Sequence, residues 1–207
     1  MRRPHRPPRP PARLRTGLGA AVAVAAVLVL AGCDGGPIAA DTPQSAGQSF
    51  VGTSYESTFY PVGHRPQAPA VSGSTLTGQR LSLADYRGDT VVLNFWGSWC
   101  APCRAEAPGL GTLNRQLKSS QVRFLGIDIR DESDAAEAFM QQFGIGYPSL
   151  SDPNDEIALD FHSTVPPADI PTTLVIDRSG RIAARIFGPS TYKELKSVVD
   201  EVAGLRS

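Results

Sequence analysis

From residue 67 onward the chain alternates between apolar blocks of two kinds. Thr90 to Phe95 and Val122 to Ile129 are near-continuous apolar runs of strand length, the pattern of strands covered on both faces. Between them Leu110, Leu113 and Leu117 recur at helical spacing in a segment opening near Cys100, with Pro108 as an expected kink. Strand, helix and strand in that order imply a right-handed parallel crossover. Asp134 to Phe143 predicts a second helix, with Ser133 or Asp134 as its cap. Thr172 to Asp177 and Arg181 to Phe187, joined by Arg178-Ser179-Gly180, predict an antiparallel hairpin. Thr191-Tyr192-Lys193-Glu194 is a capping box opening a helix whose inner face is Leu195, Val198, Val199 and Val202. Val71 to Thr75 and Gln79 to Leu83 flank Leu76-Thr77-Gly78 as a further hairpin. The sum is an α/β fold: a mixed central sheet, helices on both faces and an added N-terminal β-hairpin.

The first 33 residues have another logic. Six arginines, His5 and five prolines precede an uninterrupted apolar run from Gly17 to Gly32. Sixteen residues are short for a bilayer span, which takes about 20, so a signal peptide is expected. Its ending, Leu30-Ala31-Gly32-Cys33, resembles the lipobox of bacterial lipoproteins. That likeness implies lipidation of Cys33, a mature chain beginning there and anchoring to a membrane by more than one acyl chain. Residues 34 to 66 are rich in Gly, Ser, Thr, Pro and Gln, carry four charged residues and lack periodicity. They read as a tether of about 30 Å r.m.s. span, although Phe50 to Tyr60 holds enough aromatic residues to pack on the domain. Residues 67–207 then form one domain.

Charge reflects this division. The whole chain has 20 basic and 20 acidic residues, but without the leader 14 basic face 20 acidic, a net of −6. Such a balance gives no argument for nucleic-acid binding.

With Cys33 assigned to lipid, Cys100 and Cys103 are the one intramolecular pair available, in a compartment where thiols tend to be oxidised. In Trp99-Cys100-Ala101-Pro102-Cys103 they lie where a buried strand gives way to a helix. Unpaired N–H groups and the helix dipole there favour thiolate, the form that attacks disulfides. A structural disulfide closing about four residues contributes only about 2 kcal/mol. A tetrahedral zinc site needs two more ligands; of the candidates, His64 lies in the expected tether and His162 stands alone in a loop, so no metal is expected. A copper-binding assembly factor using both thiolates would draw on Met140 or His162. A peroxiredoxin-like peroxidase would need Thr or Ser three residues before the attacking cysteine, where this chain has Gly97.

The run Asn94-Phe95-Trp96-Gly97-Ser98-Trp99-Cys100-Ala101-Pro102-Cys103-Arg104-Ala105-Glu106-Ala107-Pro108 resembles the signature of the TlpA/ResA-type thiol-disulfide oxidoreductases, a membrane-anchored branch of the thioredoxin superfamily. Ile170-Pro171-Thr172-Thr173 and Asp177 to Gly180 match its later landmark. The resemblance implies a thioredoxin-like fold and a lipid-anchored, extracytoplasmic reductase of protein disulfides that needs no cofactor. Its substrates would be disulfide-containing proteins, apocytochrome c among them, and a membrane electron donor would recharge it.

It also implies roles. Cys100 is the exposed nucleophile, Cys103, one turn inside, resolves the mixed disulfide, and Pro102 pre-sets the first turn and tunes potential. Trp99 shields the pair or packs in the core. Pro171 is the family's cis-proline, with the backbone of Ile170 pairing to substrate. Glu106 lies on the same helical side as Cys103 and takes its proton, unless it is a solvated surface residue. Asn94 stands where thioredoxins proper carry a buried aspartate. Asp128 and Asp131, near a strand's carboxyl end, read first as turn caps, and His162 as a surface loop residue.

Overall fold

The computed structural model describes residues 56–163 and 169–205. The leader, Cys33 and most of the expected tether lie outside them. Six strands form the main sheet. In chain order they are β1 (Glu56–Phe59), β4 (Thr90–Trp96), β5 (Val122–Ile129), β6 (Ser149–Asp152), β7 (Thr172–Ile176) and β8 (Ile182–Phe187), with β2 (Ser72–Ser74) and β3 (Arg80–Ser82) forming a separate hairpin. Spatial order is β1-β8-β7-β4-β5-β6. β4, β5 and β6 run parallel, while β7, β8 and β1 join antiparallel, so the sheet is mixed as expected. The helices are α1 (Ala101–Gln116), α2 (Ser133–Gln142), α3 (Glu156–Asp160) and α4 (Tyr192–Ala203).

Alternation along the central strand separates two cores. Val92 and Trp96 face one side with Leu110 and Leu113 of α1, Phe139 of α2 and Leu195, Val198 and Val199 of α4. Val91, Leu93 and Phe95 face the other with Ile157 and Phe161 at α3 and Val71 and Leu83 around the hairpin. All seven residues of β4 are buried. A strand sandwiched in this way is a rigid support for the turn at its C-terminal end.

One close approach fixes that end. A Cβ on Gly126 of β5 would meet Ser149 Oγ at 2.1 Å and Trp96 Nε1 at 2.7 Å. Glycine leaves room for Trp96 Nε1 to donate to Ser149 Oγ at 3.2 Å and for its ring to stack on Phe139 at 4.5 Å between centroids.

Two sequence expectations change, and two elements are added. Glu56–Phe59, counted in the tether by the sequence reading, pairs with β8 from Glu56↔Phe187 to Phe59↔Ala184. An edge strand with three of four residues exposed carries no alternation for a sequence pattern to show. The α2 cap is Glu132 rather than Ser133 or Asp134, and its side chain makes no capping bond. β6 and α3 went unread because β6 is short and polar: Ser149 is spoken for by Trp96, and the Asp152 carboxylate accepts from the N–H groups of Ile157 (3.1 Å) and Ala158 (2.9 Å). The hairpin and the Thr191 capping box form at the expected places.

Candidate active site

β4 ends at Trp96, and the turn Gly97-Ser98-Trp99-Cys100 leads into α1, closed by Cys100 N–H donating to Gly97 O at 3.1 Å. Gly97 has no room for a side chain, since a Cβ would meet the Trp99 indole at 2.7 Å and Ile129 O at 3.1 Å. Cys100 is the N-cap of α1, and its sulfur accepts from the Cys103 N–H at 3.2 Å. Cys100 and Cys103 are joined as a disulfide; contrary to the sequence expectation of an exposed nucleophile, Cys100 is only 5 % exposed, and Cys103 is 1 %. Pro102, in the first turn, lacks an N–H that would otherwise need a partner. No acidic side chain occupies that first turn, so the helix N-terminus is directed at sulfur alone.

The β7 side completes the rim. The Ile170–Pro171 peptide is cis, and the Ile170 carbonyl oxygen lies 3.8 Å from Cys100 Sγ. Trp99 is half exposed, which removes the core alternative, and its indole N–H donates to Ile129 O at 3.1 Å. The Arg130 guanidinium lies over its ring at 5.5 Å.

Glu106, one turn beyond Cys103, is not a solvated surface residue. It is 4 % exposed. One carboxyl oxygen accepts from Asn94 Nδ2 at 2.9 Å, and the other from Ser190 N–H at 3.1 Å, with Ser190 Oγ at 3.5 Å. Asn94 Nδ2 also donates to Thr173 Oγ1 at 3.0 Å. Burial pushes the Glu106 carboxyl up to about 7 despite those donors. It lines a cleft of about 230 Å³ with Pro102, Pro189 and Ser190. A larger cavity of about 420 Å³ lies at the opposite end of β4, beside Val91, Tyr86 and Asp177, away from the sulfurs.

Sequence reasoning missed Ser190 and Thr173 as partners of this group. They sit 84 and 79 residues from the side chains they hold, and no local signal links such positions. It also undervalued Asp131, which does more than cap a turn. Its carboxylate accepts from the Ser98 N–H, from Ser98 Oγ at 2.8 Å and from the Glu132 N–H at 3.1 Å. His162 is exposed, with Nδ1 3.0 Å from Leu159 O. Asp177 organises its turn, accepting from Ser179 and Arg181. Among the described residues, no group of three or more His, Cys, Asp and Glu is placed to hold a metal ion, and no helix is long and apolar enough to cross a membrane.

Comparison with known proteins agrees with this geometry. Residues 65–185 match the AhpC/TSA family. The thiol-disulfide oxidoreductase ResA of Geobacillus thermodenitrificans is 33% identical over 135 residues, covering 65% of this chain and 75% of that one. The thiol:disulfide interchange protein HelX of Rhodobacter capsulatus is 36% identical over 137 residues, 65% of this chain and 73% of its own. Among solved structures, a secreted thiol-disulfide isomerase from Corynebacterium glutamicum superposes with a TM-score of 0.65 at 36% identity, over 71% of this chain and 89% of that one. A DsbF homologue from Corynebacterium diphtheriae gives 0.66 at 38%, over 70% and 92%. Likeness of this length, centred on a dithiol at the head of a helix, places the chain in the AhpC/TSA family as a ResA-like thiol-disulfide oxidoreductase of the thioredoxin superfamily.

Proposed function

We propose that this oxidoreductase works outside the cytoplasmic membrane as a reductase of protein disulfides, held there by lipid on Cys33, with apocytochrome c among its substrates and a membrane electron donor restoring its dithiol. The leader 1–33 is its signal peptide, and the segment from 34 to the start of β1 is its tether. The observation that carries the chemistry is the sulfur cap: Cys100 receives the Cys103 N–H at a helix N-terminus with no competing carboxylate in the first turn. In the reduced protein that position holds negative charge, so Cys100 is the thiolate that attacks.

The cycle balances in two exchanges. Cys100 sulfur bonds to one substrate sulfur, the substrate S–S bond breaks, and the departing thiolate takes a proton. Cys103 then gives its proton to the Glu106 carboxylate and attacks Cys100 sulfur. The mixed disulfide breaks, the second substrate sulfur leaves, and two electrons have passed to the substrate. A carboxyl near 7 serves this transfer because it accepts and returns protons at physiological pH. Asn94 has no proton to exchange; it donates to Glu106 and orients it. Cis Pro171 and the backbone of Ile170 face the extended substrate segment beside Cys100, and Trp99 shields the pair. Gly97, hemmed in by Trp99, speaks against the peroxidase alternative, which needs a hydroxyl side chain there.

Equilibration of the protein with glutathione redox buffers tests the direction. A potential near that of thioredoxin, about −270 mV, is expected, whereas a value near −120 mV overturns the reductase reading in favour of an oxidant.

A further inference from the structure

Asp128 is a buried acid that the exchange cycle does not use. It stands at the C-terminal end of β5, opposite Trp96 of β4 and Ser151 of β6 in register. It is 1 % exposed, and no N–H or hydroxyl donates to either carboxyl oxygen. A buried carboxylate left in that condition costs several kcal/mol, so the group retains its proton.

The groups around it are mostly acidic. Asp131 reaches it from the loop after β5, and Asp152 from the end of β6. Asp152 already accepts two N–H groups at the start of α3, where Asp155 pairs with Arg130 at 3.1 Å. From α1, Arg104 reaches the Ser98 carbonyl at 3.4 Å and Gln142 at 3.0 Å. Asp131 differs from Asp128 in having donors: Ser98 supplies two and Glu132 a third. Within the pair, therefore, Asp128 is the member that keeps the proton.

We propose that Asp128 and Asp131 form a proton-sharing carboxyl pair that locks the Gly97–Cys100 turn through Ser98 and so positions the attacking sulfur and Trp99. Both are positioning residues, acting through the turn rather than on the substrate. The Asp128 O–H donates to an Asp131 oxygen, and Asp131 in turn holds Ser98 by its N–H and its hydroxyl. Removing the shared proton puts two adjacent negative charges under the turn, with Asp152 as a third. The turn loosens, and the added negative charge disfavours thiolate at Cys100. Burial and the neighbouring carboxyls push the Asp128 group up to about 8, so this release falls just above neutral pH. The inference rests on Cys100 being the attacking thiol.

The test tracks Cys100 alkylation by iodoacetamide and tryptophan fluorescence in the reduced protein from about pH 5 to about pH 10. In the wild type the observed alkylation rate drops below the single-pKa curve for Cys100, and the emission shifts, with a common midpoint near pH 8. Asp128→Asn abolishes both steps, because its amide donates to Asp131 at every pH. Asp131→Asn slows alkylation by about three- to tenfold across the range, as expected when a charged acceptor is lost. Steps that persist unchanged in Asp128→Asn, or wild-type behaviour in Asp131→Asn, overturn the proposal. A measurement on the intact pair guards against a variant that fails to fold. In a Glu106→Gln background, the infrared band of a protonated carboxylic acid should be present at neutral pH and bleach near pH 8; its absence at neutral pH also overturns the proposal. If Cys100→Ser retains exchange, the nucleophile assignment falls while these titrations stand. If Cys100 is reactive and the titrations are missing, the carboxyl pair falls alone.

Discussion

The two long helices at either edge of the redox face begin with the same device and use it for different ends. At α4, Thr191 Oγ1 accepts from the Glu194 N–H at 3.4 Å while the Glu194 carboxylate accepts from the Thr191 N–H at 2.8 Å, a closed reciprocal cap. At α1 the cap atom is Cys100 sulfur, taking one N–H at 3.2 Å, and the first turn contains no carboxylate. Oxygen caps saturate a helix end and stabilise it. A sulfur cap leaves the end electrostatically unsatisfied, and the helix field is then available to stabilise charge on the atom that reacts. On the proposed cycle, stability is concentrated at one N-terminus and reactivity at the other.

Substitutions at the two ends test how separate these roles are. Cys100→Ser has the largest effect expected: disulfide exchange is lost, yet the fold is kept, because serine is among the better N-caps. An insulin-reduction assay together with a thermal scan of the reduced protein checks this. Retained turnover breaks the assignment of the nucleophile, and unfolding breaks the claim that the position is only a cap.

Glu106→Gln comes next. Without a carboxylate to take the Cys103 proton, release of the mixed disulfide slows by about 100-fold, and its dependence on pH near 7 flattens, as read by stopped-flow quenching. The stability effect has a definite sign. The Glu106 carboxyl lies higher in the folded than in the unfolded chain, so the stability it contributes is fully present below about pH 4 and is lost as pH rises towards 7. The Tm of the glutamine variant relative to wild type should therefore climb across that window. A difference independent of pH would show that the group is ionised when buried.

The smallest effect belongs to α4. Thr191→Ala removes the oxygen cap and lowers stability by about 1 kcal/mol, or roughly 3 °C in Tm. The pH profile of Cys100 alkylation stays where it was. Movement of that profile would mean that the two helix ends are coupled through Ser190 and Glu106, and the separation of stability from reactivity would fail.

Much of the fold was legible in the chain. The apolar runs at Thr90 to Phe95 and Val122 to Ile129, the Thr191 capping box and the Thr172 to Phe187 hairpin all depend on neighbours within a few residues, and they fold where the pattern puts them. The edge strand β1 was not legible, because its support comes from backbone pairing to β8 rather than from its own side chains. β6 escaped for a related reason: Ser149 and Asp152 are polar and buried, and only Trp96 and the start of α3 explain why.

The sequence by itself determined the dithiol, its two-residue spacing and its place at a strand-to-helix junction, because periodicity and capping are short-range properties of the chain. Tertiary structure alone decided that Glu106 is enclosed by Asn94 and Ser190, that Asp131 grips Ser98, and that Asp128 has no donor of its own. The reason is physical: the cost of charging a carboxyl depends on what surrounds it, and those surroundings come from strands and loops dozens of residues away.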